Sequence, residues 1–118
     1  LNRAENLPKA LDLSGVILRG ADLREAKLSG ATMEKADLSS ADLYEAKLVG
    51  TVLSGANLDH SDLWKADLTG ANLAGATLQN ADLRDAILRE VDFTGTDLKD
   101  ANFKGADLTD ATGDVPTV

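Results

Sequence analysis

A chain of 118 residues is one domain by length, and its hydrophobic fraction of 43% suits a water-soluble fold. Aromatics make up only 3%, so any core is aliphatic, and the absence of cysteine removes disulfides, thiolate metal sites and cysteine nucleophiles. A net charge of -8 speaks against direct nucleic-acid binding, which depends on Lys and Arg neutralising phosphates, and favours basic partners instead.

The opening residues, LNRAENLPKA (1–10), contain Pro8 and fall outside the pattern that follows; they read as an N-terminal cap. No apolar run approaches the ~18 residues of a membrane span, and no basic, small-residue leader opens the chain. The expectation is a soluble protein whose compartment stays open, cytoplasmic being favoured over exported, with Leu1 in place of Met leaving room for an upstream segment.

From residue 11 to 112 the chain repeats in fives. Centres run Leu13, Leu18, Leu23, Leu28, Met33, Leu38 and onward to Leu98, Phe103 and Leu108, twenty in succession. Two residues before each stands a small residue, mostly Ala, with Thr51, Ser61, Thr96, Val16, Val91 and Leu11 as departures. Between the two comes mostly Asp, Asn or Thr. In an α-helix a step of five turns the side chain by about 140° and scatters the leucines over every face. In a straight strand an odd step alternates them between two faces. A chain that bends by a constant angle per pentamer turns them all inward, and that chain is a solenoid.

The outward positions give the angle. Gly15, Gly55, Gly75 and Gly95 share a column when the sequence is folded at twenty, as do Gly30, Gly50 and Gly70, and folding at fifteen scatters them. Asp22, Asp42, Asp62 and Asp82 form another such column. Four pentamers per turn make a square coil of about five turns between Leu11 and Leu108. The recurring ADLxx and ANLxx units resemble those of the pentapeptide-repeat family, and the resemblance implies its all-β fold, a right-handed quadrilateral β-helix.

Both ends of a stacked coil are open edges that need cover. Leu11, Val16 and Ile17 are bulkier than their counterparts and read as a sealing layer at the start. The repeat lapses at Gly113, and the stretch 113–118 reads as a frayed tail. Phe93 and Phe103 replace leucine in the last coil. Because some pentapeptide-repeat proteins dimerise through a C-terminal aromatic coil, the resemblance raises an end-to-end homodimer through these two residues; the other reading is a monomer in which they plug the end.

One outward column stands apart: Arg24, Tyr44, Trp64, Arg84 and Lys104, which holds the chain's only Tyr and only Trp. Arg, Tyr and Trp are the types that anchor protein interfaces, so this is the candidate interaction face for an unidentified protein partner. The structural alternative is local stacking of rings and arginine stems. The Asp22 column suggests a cation, but a calcium site needs about six to eight converging oxygens rather than a row. Asp also suits bends by bonding nearby backbone. HSD at 60–62 lacks triad geometry because Ser61 fills an inward slot. GVILRG at 15–20 has phosphate-loop spacing, but Ala21 and Asp22 stand where Lys and a hydroxyl residue belong. No catalytic residue, cofactor site or metal site is expected, and the chain reads as a non-catalytic scaffold. The resemblance supplies one alternative, a DNA mimic that binds a type II topoisomerase. Against it, -8 spread over about 24 Å is one charge per ~3 Å, where duplex DNA carries one per ~1.7 Å.

Overall fold

The computed structural model of the protein describes residues 10–117. Except for Ala10, the expected N-terminal cap lies outside the described residues.

Each residue that precedes a centre pairs in parallel with the residue twenty positions on: Asp12 with Thr32, Ile17 with Asp37, Asp22 with Asp42, Lys27 with Lys47, and so to Ile87 with Asp107. Four pentamers therefore make each coil, and successive coils stack in register. Among the described residues only the C-terminal end lengthens its pairing into two-residue strands, β1 (Asp92–Phe93) and β2 (Thr112–Gly113), parallel, with Asp92 opposite Thr112.

Backbone hydrogen bonding explains why the repeat has five residues and why Asp or Asn precedes so many centres. In the pentamer 56–60, Ala56 N–H donates to Leu53 O and closes the preceding corner at 3.0 Å. Asn57 N–H reaches down a coil to Ala36 O at 2.9 Å, while Leu58 and His60 N–H reach up to Thr77 O and Gln79 O at 2.7 and 2.8 Å. That leaves Asp59 N–H without a backbone acceptor, and the Asn57 side chain takes it at 2.9 Å. An orphaned N–H would cost about 1–3 kcal/mol if buried, so the slot selects short side chains bearing an acceptor. Where Thr77 and Lys47 fill the slot, the coil before supplies the acceptor: Gln79 N–H donates to Asp59 Oδ1 and Val49 N–H to Ser29 Oγ.

The corners have a second requirement. The second residue after every centre has positive φ, whether glycine, as at Gly30 (77°), or not, as at Glu25 (59°), His60 (59°) and Glu90 (60°). With the residue before it at negative φ and the Leu O to N–H bond across the four residues, this is a type II turn.

Inside, the leucines from Leu38 to Leu88 and the alanines of coils two to four form one continuous buried core. Thr51 and Ser61 are buried in alanine slots, and their hydroxyls donate to Leu48 O and Leu58 O at 2.9 and 2.7 Å. In the first coil Leu13, Leu18, Leu23 and Leu28 are only half-buried. The expected sealing layer is not formed as anticipated: Ile17 occupies the outward slot before a centre and is 76% exposed, and Leu11 is 55% exposed. For Ile17 bulk was the wrong signal, because position within the pentamer decides which way a side chain points; Val16, in an inward slot, does pack against the core. At the other end, Gly95 N–H donates to Asp114 Oδ2 at 2.8 Å, where Gly75 N–H uses the Thr94 carbonyl. Gly113 and Asp114 are thus tied to the coil before them, so the stretch from 113 does not begin as frayed chain.

Candidate interaction face

Trp64 and Tyr44 are half-buried and lie in ring contact one coil apart, centroids 5.2 Å apart and planes tilted by 49°. The Arg84 guanidinium sits 5.3 Å from the Trp64 ring centre, and the Lys65 ammonium 5.1 Å from it. The indole N–H donates to Asp85 Oδ2 at 3.3 Å. Three of the five expected residues, Tyr44, Trp64 and Arg84, therefore form one contiguous stack. Arg24 does not join it. Its Nε and Nη2 make a two-pronged bond to Asp22 at 2.9 and 2.8 Å, with Asp42 at 3.8 Å. Lys104 is exposed and lies over no ring among the described residues.

The ion pairs shape the electrostatics. Hydrogen bonding from the Arg24 side chain, followed by its backbone N–H, holds the Asp22 carboxyl down at about 2. Arg84 lowers Asp82 in the same way through its own two-pronged bond at 2.9 and 2.7 Å. The Tyr44 hydroxyl is pushed above its ordinary value, first by hydrogen bonding to Glu45. Lys65, Asp85, Glu25 and Glu45 were missed as parts of this face. They occupy the next outward column, and folding the sequence at twenty would have shown them beside the rings.

The other sequence candidates resolve by position. In the aspartate column, Oδ1 of Asp22, Asp42, Asp62 and Asp82 each accepts the N–H two residues on, the turn role rather than a converging one. Among the described residues no His, Asp and Glu side chains gather as a metal site. His60 lies at a corner and Ser61 is buried against Leu58 O, which separates the two. Gly15 and Gly20 are corner residues of two successive faces, so GVILRG is no phosphate loop. Phe93 and Phe103 meet edge to face with centroids 6.3 Å apart, and both are buried, at 0% and 7% exposure. Among the described residues no helix is long and apolar enough to cross a membrane.

Stacked square coils with a leucine-filled interior define a pentapeptide solenoid, the quadrilateral β-helix. The pentapeptide repeats family matches residues 11–44, 36–75, 51–89 and 76–112, with eight copies of the repeat, and the chain belongs to that family. Solved structures agree. A pentapeptide repeat protein (Rfr23) from the cyanobacterium Cyanothece 51142 is 33% identical with a TM-score of 0.79, over 89% of each chain. One from the thylakoid lumen of Arabidopsis thaliana is 30% identical with a TM-score of 0.66, over 93% of this chain and 70% of that one. HetL of Nostoc sp. strain PCC 7120, a pentapeptide repeat protein involved in heterocyst differentiation regulation, is 29% identical with a TM-score of 0.52, over 87% of this chain and 57% of that one. No sequence among the curated proteins matches the chain.

Proposed function

We propose that the protein is a non-catalytic interaction scaffold that binds a protein partner through the face carrying Arg24, Tyr44, Trp64, Arg84 and Lys104. The observation that supports this reading is the placement of the only Tyr and only Trp together on the outside of a rod whose interior is already filled. A filled coil has no need of outward aromatics, and rings set among cations are what protein interfaces use as anchors. Immobilised protein should capture a partner from lysate of its own source, and a Tyr44→Ala, Trp64→Ala double variant with unchanged circular dichroism should lose it. Equal capture by both would remove the face from consideration.

DNA mimicry gains nothing from the geometry, because Asp22, Asp37, Asp82 and Asp107 are paired with arginines and the aromatic face is laced with cations. A gyrase supercoiling assay unaffected by excess protein would eliminate it. Homodimerisation, by contrast, has one supporting observation that the Phe rings do not provide. Among the described residues the N–H groups of Leu98, Phe103 and Leu108 have no acceptor, which leaves a backbone edge on the last coil. Light scattering that shows a monomer at high concentration would remove the end-to-end pairing. For compartment the reading remains cytoplasmic, to be tested by cell fractionation.

A further inference from the structure

The two ends of the aromatic stack differ. Beyond Trp64 the Arg84 guanidinium occupies the ring face while keeping both bonds to Asp82. Beyond Tyr44 the equivalent position belongs to Arg24, but Arg24 is drawn onto Asp22 and no cation lies over the Tyr44 ring among the described residues. The space is an open cleft of about 310 Å³, lined by Asp22, Arg24, Glu25 and Tyr44. Of its two carboxylates Asp22 is neutralised by Arg24, whereas Glu25 pairs with no cation among the described residues. Glu45 and Asp62 add negative charge beside the ring.

An aromatic face beside an unpaired carboxylate selects a cation. We infer that the Tyr44 cleft receives an arginine side chain from a basic segment of the partner protein, its guanidinium stacking on the Tyr44 ring and pairing with Glu25. This rests on the scaffold reading and adds the chemistry of the partner. The protein carries its own template for the contact, since Arg84 on Trp64 repeats the same pairing of guanidinium, ring and carboxylate one step along the column. Guanidinium suits the cleft better than ammonium because its plane stacks on a ring while its edge bonds a carboxylate, and because it is more weakly hydrated. The charge of -8 supplies the long-range attraction for such a segment.

The test uses the intact protein, with N-acetyl-arginine amide as the probe and its neutral isostere N-acetyl-citrulline amide as the control. Binding is followed by NMR shifts of the Tyr44 ring and of the backbone amides. Saturable shifts confined to Tyr44, Glu25 and their neighbours are expected with the arginine probe and not with citrulline. Glu25→Gln should weaken the affinity about fivefold, the order of one partly exposed charge contact. Tyr44→Leu should abolish the shifts while amides of the other faces stay in place, which separates loss of the site from loss of the fold. Shifts that fail to saturate, that citrulline reproduces, or that survive Glu25→Gln and Tyr44→Leu unchanged would overturn the inference. The scaffold reading fails separately. A captured partner lost on Tyr44→Ala, Trp64→Ala but indifferent to Glu25→Gln would sink the arginine contact and keep the face.

Discussion

Replacing Glu90 with glycine should stabilise this protein, although it removes a side chain and adds only backbone freedom. Glu90 holds φ at 60°, and its side chain makes no ion pair among the described residues. For a residue with a Cβ the left-handed conformation costs about 1–2 kcal/mol, and glycine escapes that cost. Glycine in turn loses about 0.5–1 kcal/mol more conformational freedom on folding. The difference favours Glu90→Gly by roughly 0.5–1 kcal/mol, or about 2–4 °C in melting temperature for a domain of this size. Gly30 lies in the same column at φ 77°, and a Cβ built there meets nothing within 4 Å, so Gly30→Ala isolates the reverse conformational effect without a clash. It should destabilise by a similar amount. Urea unfolding followed by circular dichroism, with the slope m unchanged, measures both. A Glu90→Gly variant no more stable than the parent, beside a Gly30→Ala variant no less stable, would refute the claim that corner conformation rather than corner side chain sets the stability of each pentamer.

Other consequences follow from the same geometry. Leu58→Ala, at the middle of the fully buried core, should cost about 3–5 kcal/mol, whereas Leu13→Ala in the half-buried first coil should cost clearly less; equal midpoints in urea would contradict the burial gradient. Ser61→Ala should be close to neutral, because the Leu58 carbonyl keeps its bond from the Ser61 N–H at 3.1 Å when the hydroxyl is lost. A loss above ~1.5 kcal/mol in the same assay would show that the hydroxyl is required. Asp22 and Asp37 are held at about 2 in the folded protein, Asp22 chiefly by Arg24 and Asp37 chiefly by Ser39. Each lies below the unfolded value of about 3.9, so the stabilisation is complete above that pH and is lost as pH falls through about 2. The melting temperature should therefore be flat above about pH 5 and drop between about pH 4 and 2, and Asp37→Asn should flatten that drop. An acid limb unchanged by Asp37→Asn would place its origin elsewhere.

The solenoid was legible because its constraint acts on every pentamer: a leucine every five residues is incompatible with helix and strand alike, and the columns at twenty count the sides. The same constraint hid what distinguishes one corner from another. Left-handed backbone recurs at Glu25, Lys35, His60 and Glu90 as well as at glycines, so glycine columns marked only part of a rule that composition does not reveal. The two ends were misread for different reasons: at the start bulk was weighed without position, and Ile17 is large but stands in an outward slot, whereas at the finish the lapse of the repeat hid Asp114, which caps Gly95 by imitating a carbonyl. At the face, the column named Arg24 and Arg84 as equivalents, but a side chain's choice between two partners is set by local geometry. Arg84 satisfies Asp82 and Trp64 together, while Arg24 satisfies Asp22 and leaves Tyr44 bare. Repetition fixes where every Cα lies, and it is the broken equivalence between repeats that leaves an aromatic face and a carboxylate open to another molecule.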